Sequence, residues 1–204
     1  MFFLKKRRLA SRLAQAFPEA FEADVRAVCN ALASTKSAAW NGVLYSAETS
    51  EWRLCCGERV KLPYRIYVSD RLCHSAKLSA WQMLIYHCIF SRSHDGYTRQ
   101  KHVAALLTSP LLEWMMPYVV KITGEYVKEI LICVYEGLQG KDTTALRTFC
   151  AKNLTCIRLE HCHMISYWNE YHRHGCYKYK NYIGKKLYAE CFGYRKTGQK
   201  AIRL

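Results

Sequence analysis

Acidic residues are scarce in this 204-residue chain, where 16 Asp and Glu stand against 31 Lys and Arg. With so few carboxylates, no closely spaced pair stands out for two-carboxylate acid–base chemistry. Only 4 prolines and 10 glycines are present, which excludes a collagen-like or low-complexity chain. No apolar run reaches the length of a membrane-spanning helix, so no transmembrane segment is expected. The chain also lacks Gly-x-Ser-x-Gly, a Walker-type loop, Gly-x-Gly-x-x-Gly and any Cys-x-x-Cys. Those gaps remove the common nucleophile, nucleotide and zinc-finger signatures and point away from an enzyme.

Half of the residues are apolar, enough to bury a core despite a net charge of +15. The length suits a single helical domain over residues 1–204. Cysteine is abundant at 11, an odd number, and Cys29, Cys88 and Cys133 fall inside apolar helical patterns. Buried, reduced thiols are the natural reading for such positions, and a disulfide framework is the poorer one. Met1–Leu4 is followed at once by Lys5-Lys6-Arg7-Arg8, the reverse of a secretory signal. The expectation is therefore a cytoplasmic protein. Residues 1–17 read as a basic helix on the folded body, with an organelle presequence or a membrane-surface helix as alternatives.

Helical spacing dominates the pattern, and the fold class expected is mainly α. Phe21, Val25, Val28 and Leu32 form one apolar stripe. Two short runs around Gly57 predict a β-hairpin near residues 52–67, with Pro63 ending the second strand. Ser79 and Gln82 match a capping box for a helix carrying Leu84, Ile85, Cys88 and Ile89. Asp95-Gly96 marks a turn before a helix ending at Leu107. A longer helix is predicted from Pro117 to Gly137, in which Gly124 permits close packing. Its Lys121, Glu125, Lys128 and Glu129 read as a solvated charge network. Asp142 or Thr143 is placed to cap the next helix, and the last strongly patterned one runs from Leu154 to His172.

Asp95-Gly-Tyr-Thr-Arg99 followed by Val103-Ala-Ala-Leu106 resembles the second helix of HEAT-like repeats, and Gly124 to Val134 echoes it. The architecture implied is a compact helical bundle or a short HEAT-like stack with the small hairpin. Leu62-Pro-Tyr-Arg-Ile-Tyr67, Ser93-His-Asp-Gly96 and Gly124-Glu-Tyr-Val127 together resemble uncharacterised bacterial helical proteins, a likeness that implies no activity.

Three sets of residues are candidates for chemistry. Cys156, His161, Cys162, His163, His172, His174 and Cys176 carry zinc-type donors, but their spacing fits no finger, and no metal or cofactor is expected. His94-Asp95 resembles the His-Asp pair of metal phosphohydrolases, with His74, His87 and Asp142 as further nominees, although helix capping explains Asp95 better. The third set is the basic-aromatic segment 171–204, which holds nine Lys/Arg, one acid and seven aromatics. It carries +8 of the net charge, residues 1–12 carry +5, and the long middle carries only +2.

Such basic ends fit an anionic partner. The leading expectation is a non-enzymatic nucleic-acid-binding protein. Lys178, Lys180, Lys185, Lys186, Arg195 and Lys196 would meet phosphates, while Tyr177, Tyr179 and Tyr182 would either stack on bases or pack as their foundation. A helical protein-interaction module and a metal-dependent hydrolase at His94/Asp95 are the alternatives.

Overall fold

The computed structural model describes residues 2–34, 36–38 and 42–195, with side chains from residue 4 onward. Among them are nine α-helices and a single two-stranded antiparallel sheet, so the fold is mainly α with a small hairpin, as the sequence predicts. No described helix is long and apolar enough to cross a membrane.

Helix α1 (Phe2–Ala14) buries Leu9, Ala10 and Leu13 against α2 (Glu22–Ala31), whose Val25, Val28 and Cys29 face inward. The hairpin begins at Thr49, earlier than predicted, with β1 (Thr49–Arg53) paired to β2 (Arg59–Pro63). Gly57 sits at φ +95° in its turn, a conformation that favours glycine. Trp52 faces Val60 across the pair and stacks on Phe149 at 5.9 Å, which anchors the hairpin to the helices. Tyr64–Tyr67 does not extend the strand. Instead Ile66 makes single bridges to Tyr45 and to Ser93.

Both halves of the capping box form at α3 (Ala80–Phe90): Gln82 N donates to Ser79 Oγ, and Ser79 N donates to Gln82 Oε1. Asp95 caps α4 (Gly96–Leu107) by accepting from Thr98 N at 2.7 Å. Successive helices α1 to α4 pack side by side, and α4 packs on α6.

The predicted single helix after Pro117 is two. Helix α5 (Met116–Lys121) passes through a 3₁₀ turn, Ile122–Gly124, and the backbone is extended at Glu125 before α6 (Lys128–Leu138). A Cβ at Gly124 would collide with the Glu160 carboxylate, so only glycine lets this turn press against α8.

Helix α7 (Thr144–Lys152) starts where Asp142 Oδ1 accepts from Thr144 N at 2.8 Å. Helix α8 (Leu154–Tyr167) continues into a π-helical turn, Trp168–His172. The short α9 (Ile183–Lys186) runs into a second π turn, Leu187–Cys191. All eleven cysteines are free thiols, of which Cys29, Cys88, Cys150 and Cys191 are buried while Cys133 is half-buried. Burial pushes the Cys29 and Cys150 thiols up to about 12, so both remain protonated at neutral pH.

Candidate nucleic-acid interface

The C-terminal segment is docked by its aromatic residues. Tyr182, Leu187, Tyr188, Cys191 and Phe192 are buried, and α9 with its following turn packs on α6. Gly184 permits this approach, because a Cβ there would lie 2.5 Å from Met164 Sδ of α8. Trp168 lies 5.0 Å from the Tyr179 ring, and the Tyr179 hydroxyl bonds His161 Nε2 at 3.1 Å. The Tyr188 hydroxyl meets Thr123 Oγ1 at 2.9 Å. Of the three tyrosines expected at the site, Tyr182 is therefore core and Tyr179 is half-buried. Of the three only Tyr177 is exposed, at 71 %.

Above this base the cations face water. Lys178, Lys180, Lys185, Lys186 and Arg195 are all exposed. Among the described residues none of the five forms an ion pair. The segment's one acid, Glu190, turns away to accept from the Tyr135 hydroxyl at 2.6 Å. Lys196 lies outside the described residues.

The basic N-terminus is used differently. Lys6 is buried and donates to Asn30 O at 2.6 Å, whereas Arg7 and Arg8 are exposed. Arg12 lies over the Tyr45 ring at 5.7 Å and lines an open groove with Arg7, Arg8 and Gln15. This end is carried by α2, and Lys61 N of β2 donates to Gln15 O at 2.7 Å. The C-terminal end is carried by α6 and α8. The two basic ends thus have separate supports.

The network expected to be solvated around Lys121 and Glu125 is buried. Glu125 Oε1 accepts from Arg65 Nη1 at 2.9 Å and Arg92 Nη1 at 3.0 Å, and Oε2 lies 2.5 Å from Arg99 Nε. The Glu125 side chain is 3 % exposed, and those of Arg92 and Arg99 are 1 % exposed. Two of the other guanidinium nitrogens reach backbone carbonyls, Arg92 Nη2 to Tyr64 O at 2.6 Å and Arg99 Nη1 to Ser93 O and His94 O at 2.9 Å, while buried Arg99 Nη2 has no hydrogen-bond partner among the described residues. Lys121 pairs separately with buried Glu160 at 2.6 Å. Burial lowers the Lys121 ammonium from its ordinary value, and Glu160 opposes that shift.

The helix break at Gly124 explains this burial, because extended backbone at Glu125 turns its side chain inward and leaves Tyr126 outward. The three motifs of the bacterial resemblance meet here, through Tyr64 and Arg65, Ser93 and His94, and Glu125.

The metal-site nominees do not converge. Asp95 caps α4, Asp142 accepts from Thr144 N at the start of α7, and His94 rests 5.9 Å from the Tyr67 ring. His161 binds Tyr179, His172 Nε2 binds Tyr126 O at 2.8 Å, and Cys176 Sγ turns to Lys178 O. Among the described residues no three His, Cys, Asp or Glu side chains form a metal cluster.

A chain missed by sequence reading joins Asp70, His102 and His87. His102 Nε2 lies 3.2 Å from Asp70 Oδ2, and the two Nδ1 atoms of His102 and His87 are 2.8 Å apart. Burial, with His102 and Lys101 adding to it, holds His87 down at about 4. Burial raises the Asp70 carboxyl, but bonds from His102 and Lys101 outweigh it and leave the group below its usual value. His87 and His102 lie on consecutive helices, but Asp70 comes from the loop before them, so no local spacing joins the three.

No family model, curated protein or solved structure matches the chain.

Proposed function

We propose that this chain is a non-enzymatic nucleic-acid-binding protein whose contact surface is the C-terminal rim of Lys178, Lys180, Lys185, Lys186 and Arg195. One observation carries the reading: the cations are exposed, unpaired among the described residues and fixed on a buried aromatic base. Ammonium groups with no protein carboxylate to leave exchange condensed counterions on a phosphate backbone at little cost, and a rigid base reduces the entropy lost on binding. The neutral middle of the chain confines this attraction to the ends. Tyr177 is exposed beside Lys178, and the Arg173 guanidinium lies 5.3 Å above its ring.

The test is charge reversal of Lys178, Lys180, Lys185 and Lys186 to Glu. All four are exposed, so the helical circular dichroism should be retained. Binding to labelled RNA or DNA should fall by about a hundredfold or more at fixed salt. Undiminished binding by the folded variant would contradict the reading.

A further inference from the structure

A cluster of tyrosine rings lies outside the segment nominated from sequence. Tyr126 follows the break between α5 and α6, while Tyr167 ends α8 and Tyr171 lies in the π turn after it. Tyr167 and Tyr171 are stacked at 6.1 Å with planes 25° apart. Tyr126 closes the group, 6.0 Å from Tyr167 and 6.3 Å from Tyr171. Tyr126 is 51 % exposed and Tyr171 is 60 % exposed. Rings of this size usually bury most of their area, and here two of them are more than half exposed.

Their positions are fixed from behind. His172 Nε2 binds Tyr126 O, and the His172 ring stacks on buried Tyr182 at 6.0 Å. Tyr167 sits against Tyr64: its hydroxyl is raised above the usual tyrosine value by burial first and by the Tyr64 hydroxyl second. The Arg65 guanidinium lies 4.3 Å from the Tyr64 ring centre, and Lys121 Nζ lies 5.3 Å from it. In the buried ion network next to Tyr64, the four cations Arg65, Arg92, Arg99 and Lys121 outnumber the two carboxylates Glu125 and Glu160. Along the chain, Tyr171 leads directly to Arg173, Tyr177, Lys178 and Lys180, with Glu170 the one acid between Tyr167 and Lys180.

We infer that Tyr126, Tyr167 and Tyr171 form a stacking platform for unpaired bases, so that the preferred partner is a single strand rather than a duplex. The inference rests on the proposed nucleic-acid reading and deepens it. Charge complementarity selects this occupant: Tyr167 sits against Tyr64, over whose ring Arg65 and Lys121 lie, and Tyr171 leads along the chain into the cationic rim that would follow the phosphates. Duplex bases keep their faces stacked on one another, so only single strands gain from exposed rings, whatever their sequence.

The test pairs two variants of the full chain with two probes, a labelled oligouridine and a labelled duplex RNA, read by fluorescence anisotropy. In Tyr126→Ala/Tyr171→Ala both rings are removed from the surface without opening the core. Oligouridine affinity should fall at least about tenfold, since each base–ring stack accounts for a factor of this order. Duplex affinity should stay within about twofold, because phosphate contacts are intact. Tyr126→Phe/Tyr171→Phe, which keeps the rings, should retain oligouridine binding. Unchanged oligouridine affinity in the alanine variant would overturn the platform while leaving the lysine rim standing. Wild-type protein that binds neither probe would instead overturn the nucleic-acid reading itself.

Discussion

Around Glu125, buried Arg92 and Arg99 and half-buried Arg65 meet a carboxylate and backbone carbonyls; between residues 178 and 186, four lysines are exposed and form no ion pair among the described residues. The chemistry of the two side chains fits the two uses. A planar guanidinium presents several donors at fixed angles, so it can tie Tyr64, Ser93 and His94 to one acid from another segment. An ammonium is a compact, well-hydrated charge that exchanges partners readily. The interior group organises the junction of the hairpin exit, the start of α4 and the α5–α6 break. The exterior group faces solvent. Positive charge alone therefore does not nominate a binding surface here; the proposal rests on exposed charge over a buried support.

That contrast breaks most severely at Glu125. Replacing it with Ala strands the buried Arg92 and Arg99 guanidiniums and frees half-buried Arg65, and a cost of roughly 3–5 kcal/mol is expected from loss of one member of a buried ion network. Denaturant unfolding of Glu125→Ala should show it as a large drop in midpoint, or as failure to fold. Stability equal to wild type would mean that the arginines are not held by this carboxylate.

An intermediate effect is expected at the His87–His102 pair, which lies among Asp70, Lys101 and Tyr86. His87 titrates at about 4 in the folded chain against an ordinary 6.5. A depressed histidine binds its proton more readily once unfolded, so its contribution is present above pH 6.5 and is lost as pH falls toward 4. The loss should be on the order of 2 kcal/mol, allowing for the partial exposure of His87. Chemical denaturation across that window should show the decline, and His87→Asn should flatten it. An unchanged pH profile in the variant would remove His87 from the account.

The smallest effect belongs to an exposed pair. Arg26 and Glu22 meet at 2.6 Å on α2, with both side chains more than half exposed. Arg26→Ala should change stability by no more than about 0.5 kcal/mol. A loss comparable to that at Glu125 would erase the distinction between interior and surface charge.

Local chemistry was legible in the sequence and remote chemistry was not. Ser79 with Gln82, Asp95 before α4 and Gly57 in the hairpin act within a few residues, and the structure bears each out. Gly124 was recognised as a close-packing residue, but not as the place where the helix ends. That error hid the buried cluster, since an unbroken helix would place Lys121 and Glu125 on one face. Arg65, Arg92, Arg99 and Glu125 come from different segments, so no local spacing relates them. The helix expected from Leu154 to His172 departs from its pattern at both ends for a related reason. Leu154 is 40 % exposed at the start of α8, and the π turn carries Tyr171 outward while Trp168 still packs. The rings of the platform accordingly include Tyr126 and Tyr167, which no basic-aromatic run would nominate.

The central claim, that the exposed lysines meet phosphates, is tested most directly by the salt dependence of oligouridine binding. Engagement of about six phosphates on a single strand predicts a fall of roughly three-hundredfold in affinity between 50 and 200 mM salt. In the Lys178/Lys180/Lys185/Lys186→Glu variant the slope of log affinity against log salt should be reduced by several units. A wild-type affinity independent of salt, or an identical slope in the two proteins, would contradict the account.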